Sequence, residues 1–463
     1  MTETIAAGMP ALSTRERWTV LATCALALFL VGLDTTIVTV GLAEIGHGLD
    51  VDADRLAWVI DAYTVTFASL LITAGALADR FGRRRVFRIG LVVFAVSSLA
   101  CALAPSLGVL VAARVAQGVG ASMLTPVALA IVVNAMPDPR ERARAIGVWG
   151  AMFGLSMAVG PVTGGALIAL FDWRAVFWIN VPVVVVAILL VRAVVPESRG
   201  TVVRRLDLPG QVLLVALLWI AVTVLIEGPR LGWTTPAAIA GYGLLAVLTV
   251  AFVRVESRTA TPLIEPSLFL VPRFAGAIVG AVAVFVAFSM TLLMTTLFLQ
   301  QAQDWSPATA GAATLPMALA ATICAPLSGY LVGRLGPRLP LLLAGGCLGA
   351  GGGLLLGLGT GMNLPLLLAA YLLVGAGVGF ANAPITNTAV SGLPPERAGV
   401  AGGTASTARQ LGIALGVALA ASLVADVAPD RFAAAAMPGW VIVTACGAVL
   451  AVVALACSYR PAS

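Results

Sequence analysis

What most constrains this chain is a succession of uninterrupted apolar runs, each about 20 residues long, divided by short breaks of arginine, proline and glycine. A helix of that length crosses the roughly 30 Å hydrocarbon core of a bilayer and pairs its backbone N–H and C=O groups internally, which lipid cannot do for it. A membrane barrel alternates polar and apolar residues along each strand, and these runs do not. Only 10% of the residues are charged and 60% are hydrophobic, so no separate soluble domain fits. Candidate spans begin near Trp18, Arg55, Val86, Ser106, Arg142, Ala175, Leu208, Pro236, Phe274, Pro307, Leu339, Leu364, Ala398 and Pro438. The predicted class is therefore all-α and integral to the membrane, with fourteen transmembrane helices.

The formal charge of +6 invites a nucleic-acid reading, but the basic residues are placed for another purpose. Basic residues stay on the cytoplasmic side of spans. With the N-terminus inside, only Arg55, Arg174, Arg230 and Arg431 fall on the outer side, Arg114 and Arg409 lie within spans, and every other arginine is cytoplasmic. An odd span count scrambles that asymmetry. Both termini are thus expected in the cytoplasm of a multi-pass protein of the inner membrane, with lipid rather than nucleic acid as its partner. The polar first seventeen residues precede a run too long for a signal-peptide core, which is expected to stay as a span.

All 27 basic residues are arginine. Without a lysine amine the chain has no Walker-type phosphate lysine, retinal Schiff base or pyridoxal-phosphate anchor. Cys24, Cys101, Cys324, Cys347, Cys446 and Cys457 stand singly in apolar runs and read as small packing residues. His47 is the one histidine. No metal or cofactor is expected, and the energy source left is an ion gradient.

The runs divide into a tail (1–17), six spans (18–205), an inserted hairpin (206–254), six further spans (255–458) and a second tail (459–463). A repeat links the two sets of six. Gly75-Ala-Leu-Ala-Asp79-Arg80-Phe-Gly82-Arg83 follows the second span, and Gly329-Tyr-Leu-Val-Gly333-Arg334-Leu-Gly336-Pro-Arg338 follows the tenth, keeping glycine and arginine spacing without the aspartate. Duplicated halves of this kind meet at a cavity near the bilayer midplane. In the first copy Gly75 and Gly82 permit tight helix ends, Asp79 can accept hydrogen bonds, and Arg80 and Arg83 to Arg85 anchor the loop to headgroups. Such a loop can latch one helix bundle against the other.

This loop resembles the signature of the major facilitator superfamily. Three further stretches resemble motifs of that superfamily. Arg114, Gln117, Gly118 and Gly120 are similar to its fourth-span arginine motif. Gly147, Gly160, Pro161, Gly164 and Gly165 are similar to the fifth-span antiporter pattern, with Ser156 where that pattern has glycine. Leu33-Asp34-Thr-Thr-Ile-Val resembles the first-span motif of the fourteen-span drug:proton antiporters, departing from it at Thr39, Gly41 and Ala43. With Trp173-Arg174-x-x-Phe-Trp-Ile-Asn180-Val-Pro182 and Arg409-Gln-Leu-Gly412 the likeness covers essentially the whole chain. It implies two six-helix bundles plus a two-helix insertion, and proton-coupled export by alternating access. The Gly160 to Gly165 segment, with its proline, permits close packing and a bend that could seal one side.

Ionisable groups inside spans are costly and mark function by default. Asp34, Asp61 and Arg114 are expected to share the outer half of the first bundle and to carry proton coupling, with Asp34 leading. A carboxyl kept from water holds its proton, and one beside a guanidinium releases it, so a motion that alters such a contact moves a proton. A static Asp34–Arg114 pair joining spans one and four is the competing reading. Cavity candidates are Trp58, Tyr63, Gln117, Trp149, Phe153, Phe285, Phe288, Gln300, Phe380, Asn382 and Arg409, a greasy set suited to amphipathic or cationic organic compounds. The expected partners are such a small molecule, protons and lipids, and the chain is read as a monomer. The alternatives are a transporter dedicated to one metabolite or lipid, and a channel or sensor on the same scaffold.

Overall fold

A computed structural model of the chain describes residues 13–199, 206–358, 363–390, 395–424 and 427–456. They form α-helices joined by short turns, with no strand among the described residues. The first set is α1 (Thr14–Leu49), α2 (Ala53–Phe81), α3 (Arg83–Ala102), α4 (Leu107–Ala135), α5 (Pro139–Leu170), α6 (Ala175–Trp178) and α7 (Asn180–Val194). A hairpin follows, α8 (Leu208–Leu231) and α9 (Pro236–Glu256). The second set is α10 (Pro272–Leu297), α11 (Pro307–Ala313), α12 (Leu315–Leu335), α13 (Arg338–Leu356), α14 (Leu364–Val390), α15 (Pro395–Val424) and α16 (Phe432–Ala456).

Among the described residues thirteen helical segments are long and apolar enough to cross a bilayer, and the described apolar part of α5, Val159–Leu170, is shorter. α5 itself has 32 residues, about 48 Å at 1.5 Å per residue. Counting it restores the even number that the arginine placement requires. α6 continues into α7, and α11 into α12, to make single crossings.

Helix ends follow local chemistry more than hydropathy. α1 starts ahead of Trp18 because Ser13 and Glu16 form a capping box, the Ser13 hydroxyl accepting from the Glu16 N–H and the Glu16 carboxylate from the Ser13 N–H at 2.8 Å. α16 starts six residues ahead of Pro438, which lies inside the helix. A membrane helix tolerates such a proline where neighbours satisfy the freed backbone. The sequence repeat has a conformational counterpart. Gly82 ends α2 with φ +107° and Gly336 ends α12 with φ +78°, backbone in which a side chain is strained.

The two sets meet along two seams, α2 against α15 and α5 against α11 and α12, with α1 touching α10 between them. The α8–α9 hairpin leans on α2 and α15 through α8, while α9 is left almost wholly on the periphery. Gln211 of α8 fixes that contact by donating to the Ser69 carbonyl of α2 at 2.8 Å. Small residues let helices approach at backbone distance, as where Gly345 of α13 lies against the Gly447 carbonyl of α16. The five described cysteines are free. Below, the arginine-rich face is the end bearing the start of α1 and the α2–α3 turn, and the opposite face is the other.

Candidate functional site

Asp34 and Arg114 meet at 2.5 Å, both wholly buried. The sixth crossing breaks at Ile179, and the residue that opens α7, Asn180, aims its amide at the same carboxylate. Asp34 Oδ1 accepts from Gln117 Nε2 at 2.8 Å and from Asn180 Nδ2 at 3.0 Å, while Oδ2 takes the guanidinium. Ser98 of α3 accepts from both amides, at 2.9 and 3.4 Å. Arg114 also donates to Gln117 Oε1 at 2.7 Å and to the Val59 carbonyl of α2 at 2.8 Å. Its guanidinium lies 4.2 Å from the Tyr63 ring centroid and 5.8 Å from that of Phe177, cation–π contacts that favour it further. One carboxylate thus joins α1 to α4 and α7, with α3 held through Ser98 and α2 through Arg114. Such a charge is tolerable only because donors surround it.

Asp61 lies on α2 two residues beyond Val59 and is equally buried, yet neither carboxyl oxygen has a hydrogen-bond partner. It belongs to no ion pair among the described residues. The two buried acids of the first set therefore have opposite surroundings. Asp34 is saturated with donors and Asp61 has none.

α1, α2, α4, α10 and α15 enclose a central cavity of about 30 Å³, room for one water. Its lining is Leu28, Val31, Gly32, Thr35, Thr36, Phe67, Thr125, Phe288, Gln410 and Ile413. On the opposite face, Gly160 of α5 lies against Thr36 of α1, and Gly164 presses on Ile37. The far side of the same segment meets the other set of helices. Gly165 lies on the Pro307 carbonyl, and Gly311 on the Pro161 carbonyl, a reciprocal backbone contact. Gln300, in the π-helical turn after α10, donates to the Val40 carbonyl at 3.0 Å. This end of the molecule is closed by backbone-to-backbone packing. An open recess above it is lined by Glu44, His47, Asp172, Arg174 and Pro307 among others. No cluster of three metal-ligating side chains occurs among the described residues.

A family model described as Major Facilitator Superfamily matches residues 24–417. The chain belongs to the major facilitator superfamily. Among its relatives is the multidrug resistance protein Stp of Mycobacterium tuberculosis H37Rv, 39% identical over 387 residues, spanning 84% of this chain and 72% of that protein. The tetracenomycin C resistance and export protein of Streptomyces glaucescens is 35% identical, over 93% of this chain and 81% of that protein. The methylenomycin A resistance protein of Streptomyces coelicolor is 35% identical, over 82% and 80%. Solved structures agree on the fold. A bacterial homologue of the human lysosomal transporter Spinster, inward-facing and unoccupied, superposes with TM-score 0.65 at 17% identity, covering 96% of this chain and 97% of that one. A peptide transporter, POT, in complex with sulfate gives TM-score 0.68 at 19% identity, covering 97% and 96%.

Within this superfamily fold the sequence-chosen residues sort by contact. Asp34 and Arg114 come together, but Asp61 stands apart from them. α1 runs on to Leu49, so Asp34 lies about 22 Å from its far end. Gln117 and Tyr63 serve the Arg114 network rather than the cavity. Trp58 turns away from the cavity to the hairpin, stacking on Trp219 at 5.9 Å and donating to Glu227 at 3.2 Å. Phe285 of α10 is buried against α15, edge-on to Phe288, which alone of the proposed aromatics with described side chains lines the cavity. Phe380 packs on the core, its carbonyl accepting from Ser328. Asn382 meets Arg409 at 3.3 Å. The side chains of Trp149 and Phe153 lie outside the described residues. So do the two terminal tails, apart from residues 13–17.

The Gly75 to Arg85 turn makes its described contacts within the first set. Arg83 pairs with Asp79 at 2.9 Å and donates to the Ala130 carbonyl of α4 at 3.4 Å, while Glu197, after α7, accepts from the Arg84 N–H at 3.0 Å. The exposed Arg80 lies on the Phe81 ring at 5.4 Å, and Gly75 faces Pro126 of α4. A latch to the second set would reach the start of α15, where side chains 395–400 lie outside the described residues. Sequence reading missed Ser98 and Asn180 as site residues. Asn180 stood inside a quoted motif, but nothing in the sequence showed that it shares a carboxylate with Gln117.

Proposed function

We propose that this member of the superfamily is a proton-coupled exporter of amphipathic organic compounds. In this reading it sits in the cytoplasmic membrane with its arginine-rich face and both termini inside. The named roles of its relatives in drug and antibiotic resistance support export. The observation that carries proton coupling is the contrast between Asp34 and Asp61. An ionised carboxyl sealed among apolar helices without a donor is costly by several kcal/mol, so Asp61 fits this state as the neutral, proton-bearing acid. Asp34, facing a guanidinium and two amides, fits as the carboxylate. Two acids held in different charge states by their surroundings are the arrangement a proton carrier needs. When the seams open, water reaches Asp61 and its proton leaves, and alternation of the two seams makes this release directional.

The driving force is adequate. A potential of about 100 mV supplies ~2.3 kcal/mol per charge moved, which supports a roughly 50-fold concentration ratio per proton. The test is transport by purified protein in liposomes under an imposed pH gradient. Wild type is expected to accumulate amphipathic dyes against their gradient. Asp61→Asn is expected to exchange them at equal pH but not to concentrate them. Uphill transport by Asp61→Asn at the wild-type rate would remove the assignment.

A further inference from the structure

Arg409 is the charge that proton coupling leaves unused. It lies 14 residues into α15, about 21 Å from the arginine-rich end of that helix. It is only partly buried and forms no ion pair among the described residues. Its guanidinium is held by neutral oxygens only, donating to Ser406 at 2.6 Å, Asn382 at 3.3 Å and Thr386 at 3.4 Å. Ser406 and Asn382 are half-buried, and Thr386 is exposed four residues before the end of α14 at the arginine-rich face. An arginine with hydroxyl and amide neighbours does not face lipid, where each of those groups is penalised. This sector therefore borders water. Its place relative to the cavity is fixed by helix geometry, since residues four apart share a face. Ile413, one turn beyond Arg409, lines the central cavity, as does its neighbour Gln410.

The two acids nearest the cavity cannot complement a cation in this state. Asp34 is neutralised by Arg114, and Asp61 has no exposed surface. Of Asp34, Asp61, Arg114 and Arg409, the one charge left without a counter-charge is the positive one on Arg409. The neutral acceptors aim the guanidinium without cancelling it, leaving N–H donors for a ligand. A planar guanidinium matches a carboxylate's two oxygens, and Phe288, Phe67 and Leu28 beyond it suit an apolar body.

We propose that Arg409, oriented by Asn382, Thr386 and Ser406, is an anion-recognition point on the substrate path, so that the preferred substrates are amphipathic compounds carrying a carboxylate or a like organic anion. This rests on the export reading for the route, but binding at equilibrium needs no gradient. The two can therefore fail separately.

The test uses the full chain, purified and captured on beads, with 4-phenylbenzoate, the isosteric neutral 4-phenylbenzamide and tetraphenylphosphonium as probes. Binding is measured at a single pH and corrected with empty detergent beads. The acid is expected to bind about 10-fold or more tightly than the amide, the span of one charge-assisted hydrogen bond. Arg409→Gln is expected to weaken the acid to the level of the amide while leaving the amide unchanged. Arg409→Lys, which keeps the charge and loses the fork, should fall between, and Asn382→Ala should weaken the acid alone. Failure of the acid to bind the wild type overturns the proposal. So does equal binding of acid and amide, tighter binding of the phosphonium than of the acid, or equal weakening of acid and amide by Arg409→Gln. Absence of gradient-driven flux with the acid selectivity intact would refute export and leave the anion site standing.

Discussion

Replacing Asp34 with asparagine removes one charge and keeps the shape. Its consequence follows from the partners around it. The new carbonyl can still accept from Gln117 and Asn180, the two amides now served by Oδ1. The other terminus becomes an NH2 group facing the Arg114 guanidinium, donor against donor, where the carboxylate now stands at 2.5 Å. The guanidinium is left wholly buried without a counter-charge. Breaking a buried pair from one side costs about 3–5 kcal/mol. Arg114→Gln should cost a similar amount, since it strands the carboxylate. The double variant Asp34→Asn/Arg114→Gln strands neither charge, so its loss should be smaller than either single loss. The assay is equilibrium unfolding in mixed micelles by detergent titration, read by Trp fluorescence, for wild type, both singles and the double. A single variant within about 0.5 kcal/mol of wild type, the range of an inert surface change, would refute the reasoning, as would a double variant less stable than both singles. The same four proteins separate structure from coupling. If the pair is only a strut, the double variant transports at the wild-type rate per folded molecule.

Other expectations follow from single contacts. Asp61→Asn should leave stability within about 0.5 kcal/mol of wild type, because neither oxygen has a partner to lose, and should make net uptake independent of the pH gradient in the liposome assay. Gly165→Leu places a side chain on the Pro307 backbone and 2.7 Å from the Ala308 Cα, so it should insert normally yet hold the opposite face open, seen as raised thiol labelling of a cysteine introduced at Thr36 and loss of transport. Gly82→Ala meets both a φ of +107° and the Glu197 carboxylate at 2.7 Å. It should cost about 1–2 kcal/mol in the same unfolding titration, more than the corresponding change at Gly336, where φ is +78° but no neighbour lies within 4 Å.

The fold was legible because its cause is local. Each crossing needs a run of apolar residues and its own backbone partners, both written consecutively in the chain, and the arginines that fix orientation sit in the same short breaks. Ends were less legible where capping chemistry outweighs hydropathy, as at Ser13 and Glu16, or where a proline sits inside a helix, as Pro438 does. The site was half legible. A charge in an apolar run announces itself, which is why Asp34, Asp61, Arg114 and Arg409 stand out unaided. Which of them touch depends on how helices are rotated against each other, and a repeat of apolar residues on every face carries no such phase. Asp34 and Asp61 therefore look alike in sequence and differ completely in surroundings. For the same reason Trp58 reads as a cavity residue until Trp219 and Glu227 of the hairpin are found against it.

The arrangement also shows how proton occupancy and opening can be joined. Asp34 lies on α1 two residues before Thr36 and three before Ile37, the residues on which Gly160 and Gly164 of α5 rest. Through Gly165 and Gly311 the other side of α5 rests on α11 of the second set. The α5–α11 contacts are backbone to backbone, and on the α1 side Thr36 and Ile37 pack on Gly160 and Gly164 through side chain and backbone, so separation of α5 from α11 moves α5 against α1, or both together. Where α1 follows α5, the carboxylate is displaced relative to Gln117, Asn180 and Arg114, which come from α4 and α7. A change in that donor set changes the stability of charge in the first bundle, and by linkage the charge changes the balance between closed and open seams by the same free energy. A contact network that left the seam indifferent to Asp34 would show identical thiol labelling at Thr36→Cys with and without Asp34→Asn. The packing of α1 between the carboxylate's donors and the glycine seam makes a shift toward the labelled, open form the expected result.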